Sequence, residues 1–129
     1  MTVPQLGQID ERQIRAVREG LPFGSFTNLR DALELSTDEL AQLLGIPRRT
    51  LTKRQRDGLF SSSESNTISR VARVYREATV FFDDETEART WLKTSLPALE
   101  ATPLSLLDTD PGAEAVSVLL RQLAWGIYS

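Results

Sequence analysis

Five cations stand within the stretch GIPRRTLTKRQRDGLF: Arg48, Arg49, Lys53, Arg54 and Arg56. The chain that carries them has a formal net charge of −3 and an isoelectric point near 5.0. Such a set is suited to binding anions. An arginine fork donates two parallel hydrogen bonds to a guanine edge or a phosphate, and lysine meets phosphate as a point charge. The charge is unevenly placed. Residues 1–79 hold 12 Lys+Arg against 10 Asp+Glu, whereas residues 80–129 hold 3 against 8. An acidic total therefore conceals a basic working surface. The run is either a solvated helix face or a surface built to meet nucleic acid, and the elements around it decide between the two.

Other chemistry is sparse. The sequence has no cysteine and no histidine, which removes disulfides, cysteine-based zinc sites, thiol nucleophiles and any Ser-His-Asp arrangement. Asp83, Asp84, Glu85 and Glu87 form an acidic cluster, but no glycine-centred calcium loop follows them, so they read as helix caps. No pair of carboxylates has a spacing that argues for acid–base catalysis. The expectation is a protein that is not an enzyme and needs no cofactor or metal. The start, MTVPQLGQIDERQIR, lacks the apolar segment of a signal peptide, and no apolar run approaches the ~18 residues of a membrane span. The expected location is the cytoplasm.

The elements that must position the cations are helical throughout. At 129 residues, with 40% hydrophobic and 26% charged content, the chain suits a compact soluble fold. A short amphipathic segment spans Ile9 to Val17, and GLPFGSF breaks it. Leu29, Ala32 and Leu33 then recur at helical spacing. Ser36 and Glu39 form a capping box, with Leu35 and Leu40 placed as a hydrophobic staple. Leu40, Leu43 and Leu44 supply an apolar face, Gly45 ends the helix, and Pro47 suits the first turn of the next. Ser61-Ser62-Ser63 offers a cap for the longest helix, whose stripe is Ile68, Val71, Ala72, Tyr75, Ala78, Phe81 and Phe82. A further helix carries Ala88, Trp91 and Leu92. Thr102-Pro103 and Asp110-Pro111 each predict a cap followed by a helix, the last with Val116, Leu119, Leu120 and Leu123 inward. Trp91 and Trp125 read as core or interface anchors.

The basic run thus lies in the second of two helices joined by a tight turn. Ala41 permits close approach, Gly45 makes the turn, and Ile46 and Leu51 anchor the second helix to the first. That is a helix-turn-helix, and it makes the run a recognition helix. Arg48, Arg49 and Thr52 are assigned to base edges, and Lys53, Arg54 and Arg56 to phosphates or nearby bases. Thr50 belongs to the same DNA-binding set, and Ser61, Ser62 and Ser63 are candidate phosphate donors. The partner on this side is double-stranded DNA.

The C-terminal stretch WLKTSLPALEATPLSLLDTDPGAEAVSVLLRQLAWGIYS resembles the C-terminal domain of the Xre/MbcA/ParS family of antitoxins. The matching features are Trp91-Leu92, Pro97-Ala98-Leu99, Thr102-Pro103-Leu104, Leu106-Leu107, Asp108-Thr109, Gly112, Val116, Leu119-Leu120-Arg121 and Gly126-Ile127-Tyr128. Upstream, Arg49-Thr50-Leu51 and Glu64-Ser65 also match. Leu96 departs from the pattern, since family members often carry asparagine before the proline. The resemblance implies an all-α architecture: an Xre/Cro-like helix-turn-helix domain followed by a small helical toxin-binding and dimerisation domain. The expected boundaries are an N-terminal extension over 1–20, the DNA-binding domain over 21–80 and the C-terminal domain over 81–129. It further implies a type II antitoxin that covers the active site of an NAD-degrading RES-domain toxin, binds its own promoter, and forms a homodimer. Arg121, Trp125, Gly126, Tyr128 and Ser129 are the expected toxin contacts. The alternative is a dimeric helix-turn-helix regulator with no toxin partner.

Overall fold

The computed structural model describes residues 11–126 and is all-helical, with seven α-helices and no strand among those residues. The order is α1 (Glu11–Glu19), α2 (Gly24–Leu33), α3 (Thr37–Leu44), α4 (Arg48–Asp57), α5 (Ser62–Phe82), α6 (Glu85–Leu92) and α7 (Asp110–Ala124), with a 3₁₀ turn at Leu104–Leu106. Helix α5 is the spine. Helices α1, α2, α3, α6 and α7 all pack against it. Its stripe of Ile68, Val71, Val74 and Ala78 is fully or almost fully buried. The apolar core around it is continuous, running from Phe26, Leu33 and Leu40 at one end to Leu92, Leu107 and Val116 at the other.

Two capping boxes set the starts of α3 and α5. At α3 the Ser36 hydroxyl accepts from Glu39 N–H and the Glu39 carboxylate accepts from Ser36 N–H. Ser61 and Glu64 repeat this reciprocal pair at α5. Asp84 caps α6 by accepting from Glu87 N–H, while Asp83 adopts a left-handed conformation that ends α5. Three helix-start signals in the sequence differ from the structure. Pro47 sits just outside α4, as its N-cap. Thr109, not Asp110, caps α7, accepting from Gly112 N–H and leaving Pro111 in the first turn. The Thr102-Pro103 signal starts only the 3₁₀ turn. The segment expected over Ile9 to Val17 is helical from Glu11 to Glu19, and Ile9 lies outside the described residues.

Helices α5 and α7 run in the same direction. Arg70 reaches Asp110 Oδ1 at 2.7 Å and the Leu107 carbonyl at 3.2 Å, and seven residues further along both helices Ser117 donates to Glu77 Oε1 at 2.6 Å. Arg73 closes that second contact by donating to Glu77 Oε2. Buried polar groups require partners, and these are paired across the helix interface. The C-terminal end of α2 is held from α6. There Arg89 donates to the Ala32 carbonyl and Lys93 to the Glu34 carbonyl, satisfying acceptors a helix end leaves open.

Candidate nucleic-acid and partner interfaces

The turn between α3 and α4 is built by Gly45, whose φ of 72° is left-handed. Its N–H donates to the Gln42 carbonyl at 3.1 Å and the Ile46 N–H reaches back to the Ala41 carbonyl at 2.9 Å. This paired closure turns the chain sharply and buries Ile46 against Ala41 and the α3 leucines. Helix α4 then buries one side chain, Leu51.

A helix turns 100° per residue, so the position of Leu51 fixes the facing of every other residue in α4. Arg49, Lys53 and Arg56 fall on the opposite side, with Thr52 beside them, and all four are exposed. With Arg48 and the half-buried Thr50 they line one open surface concavity. Arg49 and Lys53 make no ion pair among the described residues, so their charges face solvent unpaired. Arg48 is pulled sideways: its Nη2 donates to both oxygens of Asp38 on α3, at 2.6 and 2.8 Å. Both side chains are more than 70% exposed, and a pair so exposed contributes little and exchanges readily for another anion.

Arg54 is placed differently from the other cations of the run. Its position, three residues beyond Leu51, turns it toward the core side of α4. Its guanidinium forms a fork with Glu64, Nε to Oε1 at 2.8 Å and Nη2 to Oε2 at 3.2 Å. The two side chains are 23% and 17% exposed. Burial pushes the Glu64 carboxyl up, but the Arg54 guanidinium and the Ser61 N–H and hydroxyl bring it below its ordinary value. The same hydrogen bond to Glu64 raises Arg54. Arg54 is therefore engaged within the protein and does not stand with the outward cations. Of the serines, Ser61 is occupied by its cap, while Ser62 and Ser63 are exposed on the first turn of α5.

At the other end of the molecule, α7 closes at Trp125, and Gly126 takes the left-handed conformation. Trp125 is 81% exposed, unlike Trp91, whose ring packs against Phe82 with centroids 5.9 Å apart. Arg121 is exposed and pairs with Glu114 at 3.3 Å. Tyr128 and Ser129 lie outside the described residues. Sequence reasoning overlooked Val80, which is 81% exposed near the end of α5. Because α5 and α7 run parallel, Val80 and Trp125 lie toward the same end of the molecule. An apolar residue standing outside the inward stripe of Ala78, Phe81 and Phe82 was the available signal. No group of residues that could hold a metal ion occurs among those described, nor does any helix long and apolar enough to cross a membrane.

The architecture is that of a helix-turn-helix head joined through a common helix to a helical domain with an exposed aromatic end. Residues 12–73 match the antitoxin Xre-like helix-turn-helix domain, and residues 77–126 match the antitoxin Xre/MbcA/ParS C-terminal toxin-binding domain. The chain is 39% identical over 94 residues to an antitoxin Xre of Yersinia enterocolitica, a match spanning 70% of this chain and 64% of that relative's length. It is also 31% identical over 116 residues to an antitoxin Xre of Photorhabdus laumondii subsp. laumondii, covering 88% and 78% of the two chains. The chain belongs to the Xre antitoxin family.

Proposed function

We propose that this protein is the antitoxin of a type II toxin–antitoxin system. It binds and silences a toxin through its C-terminal helices and represses its own operon through α4. The observation that carries this reading is the pairing of two family matches along one chain, each with an exposed surface suited to its partner. On the toxin side, Trp125 presents a large aromatic to solvent where a soluble domain would ordinarily bury it. Arg121, Trp125 and Gly126, continued by Tyr128 and Ser129, form the proposed contact. The proposed partner is a RES-domain toxin that degrades NAD, the class implied by the resemblance of the C-terminal stretch. The antitoxin acts by covering that toxin's active site and carries out no reaction itself.

On the DNA side, Arg48, Arg49, Thr50, Thr52, Lys53 and Arg56 form the proposed contact set. Helix N-terminal residues of a recognition helix meet base edges, which gives Arg48, Arg49 and Thr52 the reading role and Lys53 and Arg56 the phosphates. The proposed division is an extension over 1–20, a DNA-binding domain over 21–80 and a toxin-binding domain over 81–129. The proposed state on DNA is a homodimer, which presents two recognition helices about 34 Å apart, one turn of the duplex.

The test is co-expression with the adjacent open reading frame, followed by pull-down on this chain and measurement of growth and cellular NAD. A growth-arresting neighbour rescued by a stable complex, with NAD preserved, supports the reading. A harmless neighbour with no complex leaves a dimeric regulator without a toxin partner. Arg49→Ala separates the two activities: neutralisation is retained, operator affinity falls, and the slope of log affinity against log salt becomes shallower by about 0.9, one phosphate's worth of released counterion, if Arg49 meets phosphate. An unchanged slope with reduced sequence discrimination assigns it to a base edge.

A further inference from the structure

Helix α4 is poorly anchored for an element that must read a groove. It spans ten residues, exposes most of them, and buries Leu51 alone. One buried side chain fixes where a helix sits but leaves it free to roll and tilt about that point. The outward cations would then sweep across several positions relative to the duplex. A second anchor on the inner side of the helix removes that freedom.

The residue on the correct side is Arg54, and the group that receives it is unusually well fixed. Glu64 Oε1 accepts from both Arg54 Nε and Ser61 N–H, each at 2.8 Å. Glu64 N–H in turn donates to the Ser61 hydroxyl. The carboxylate is therefore locked to the first turn of α5 before Arg54 meets it. The next residue, Ser65, is fully buried and accepts from Leu21 N–H at 2.8 Å. The chain leaving α4 is pinned alongside: Phe23 N–H donates to the Gly58 carbonyl and Phe60 N–H to the Leu21 carbonyl. Phe23 and Phe60 stack there with ring centroids 5.5 Å apart. Only the C-terminal end of α4 has this scaffold. Its N-terminal end is joined to α3 by the Gly45 turn and the buried Ile46, which fix where α4 starts, and the side-chain pair there, Arg48–Asp38, is exposed.

We propose that Glu64 and Arg54 are positioning residues for operator recognition: the carboxylate, held by the Ser61 cap, sets the roll of α4 through the Arg54 fork, and Arg54 contacts no DNA. This rests on the DNA-binding reading above and refines it. It reduces the strong cation set at the duplex to Arg48, Arg49, Lys53 and Arg56. It also makes the geometry of the fork, rather than its charge, the property that matters. Lysine supplies the same charge but a single point of contact, so it cannot hold a bidentate pose.

The test measures binding of the full-length protein to the DNA immediately upstream of its own gene and to a scrambled duplex, over a range of salt. The variants are Arg54→Lys, Glu64→Gln, the double variant and Arg49→Ala, all assayed well below their melting temperatures. For a positioning pair, Arg54→Lys and Glu64→Gln each lower the operator-to-scrambled ratio roughly tenfold, the scale of one misplaced base contact. Their salt slopes match the wild type, and the double variant is no worse than the weaker single variant. If Arg54 met phosphate instead, Arg54→Lys would bind nearly as the wild type. Glu64→Gln would then tighten binding by releasing a cation, and either result overturns the proposal. So does a fall in melting temperature with an unchanged ratio, which marks the pair as ordinary packing. If the wild type fails to distinguish the two duplexes and Arg49→Ala changes nothing, the DNA-binding reading itself fails.

Discussion

Gly112 provides a direct test of how α7 is seated. It lies in the first turn of the helix, where its N–H donates to the Thr109 cap. A Cβ placed there would stand 2.9 Å from the Leu106 carbonyl carbon, 3.0 Å from Thr109 Oγ1 and nearer still to the Leu106 oxygen. The obstacle is backbone, which cannot rotate away as a flexible side chain would. Forcing a methyl into a packed site costs about 3 kcal/mol at the upper end of the usual range. Alanine recovers up to about 1 kcal/mol of helix propensity, so Gly112→Ala should destabilise by about 2 kcal/mol. For a chain of this size that lowers the melting temperature by roughly 6–10 °C. The assay is thermal unfolding followed by circular dichroism, with Gly24→Ala as the control. Gly24 also opens a helix, has no positive φ, and has no atom within 4 Å of an added Cβ. The control should melt at or slightly above the wild-type temperature. If Gly112→Ala melts with the control, the close approach of the 3₁₀ turn to α7 is wrong, and with it the seating of the proposed toxin-binding helix.

Three further outcomes are expected. Leu51→Ala removes the one side chain α4 buries and should cost about 2–4 kcal/mol in urea unfolding, with operator binding lost even where the protein remains folded. Glu34→Gly should raise the melting temperature by roughly 2–4 °C. Glu34 holds a left-handed φ of 55° that glycine adopts without cost, and its carboxylate, 65% exposed, returns little through a 3.4 Å pair with Arg89. Acid should destabilise the protein through two carboxyls held below their ordinary value of 4.5, Glu39 chiefly by the Ser36 N–H and Glu64 as described above. The unfolded chain binds those protons more readily than the folded one, so stability present above pH 4.5 is lost as pH falls through the lowered values. Melting temperatures recorded between pH 3 and 7 should show a shallower acid loss in Glu64→Gln, and parallel curves would refute the assignment.

The helix-turn-helix was legible because its signals are local. Ser36 and Glu39 are three residues apart, Gly45 needs only its own φ, and Leu51 stands five residues beyond Ile46. At α5 the run Ser61-Ser62-Ser63 announced a cap, and the reciprocal Ser61–Glu64 pair that makes it a second capping box came from the structure. The pairing of Arg54 was not legible, for a different reason. Its phase relative to Leu51 already placed it inward, but its partner comes from another helix, and nothing in the spacing announces which carboxylate will receive a guanidinium across a turn. Glu34 and Glu100 likewise take left-handed conformations that glutamate rarely adopts, so tertiary packing and not local preference sets them. The exposed Trp125 was read by type, as an aromatic that anchors. Whether it anchors a core or a partner depends on where α7 stops relative to α5, which only the packed structure displays.

The two family matches end at 73 and begin at 77, with three residues between them, inside the unbroken helix α5. No hinge separates them, so the head and the toxin-binding domain share one rigid axle, and their relative bearing is a matter of angular phase. One residue inserted between Val74 and Glu77 would turn the aromatic end by about 100° and advance it about 1.5 Å with respect to α4. Four residues would nearly restore the heading while lengthening the axle by about 6 Å. On the proposed function, the direction in which a bound toxin would project from DNA is written as a count of residues in a single helix.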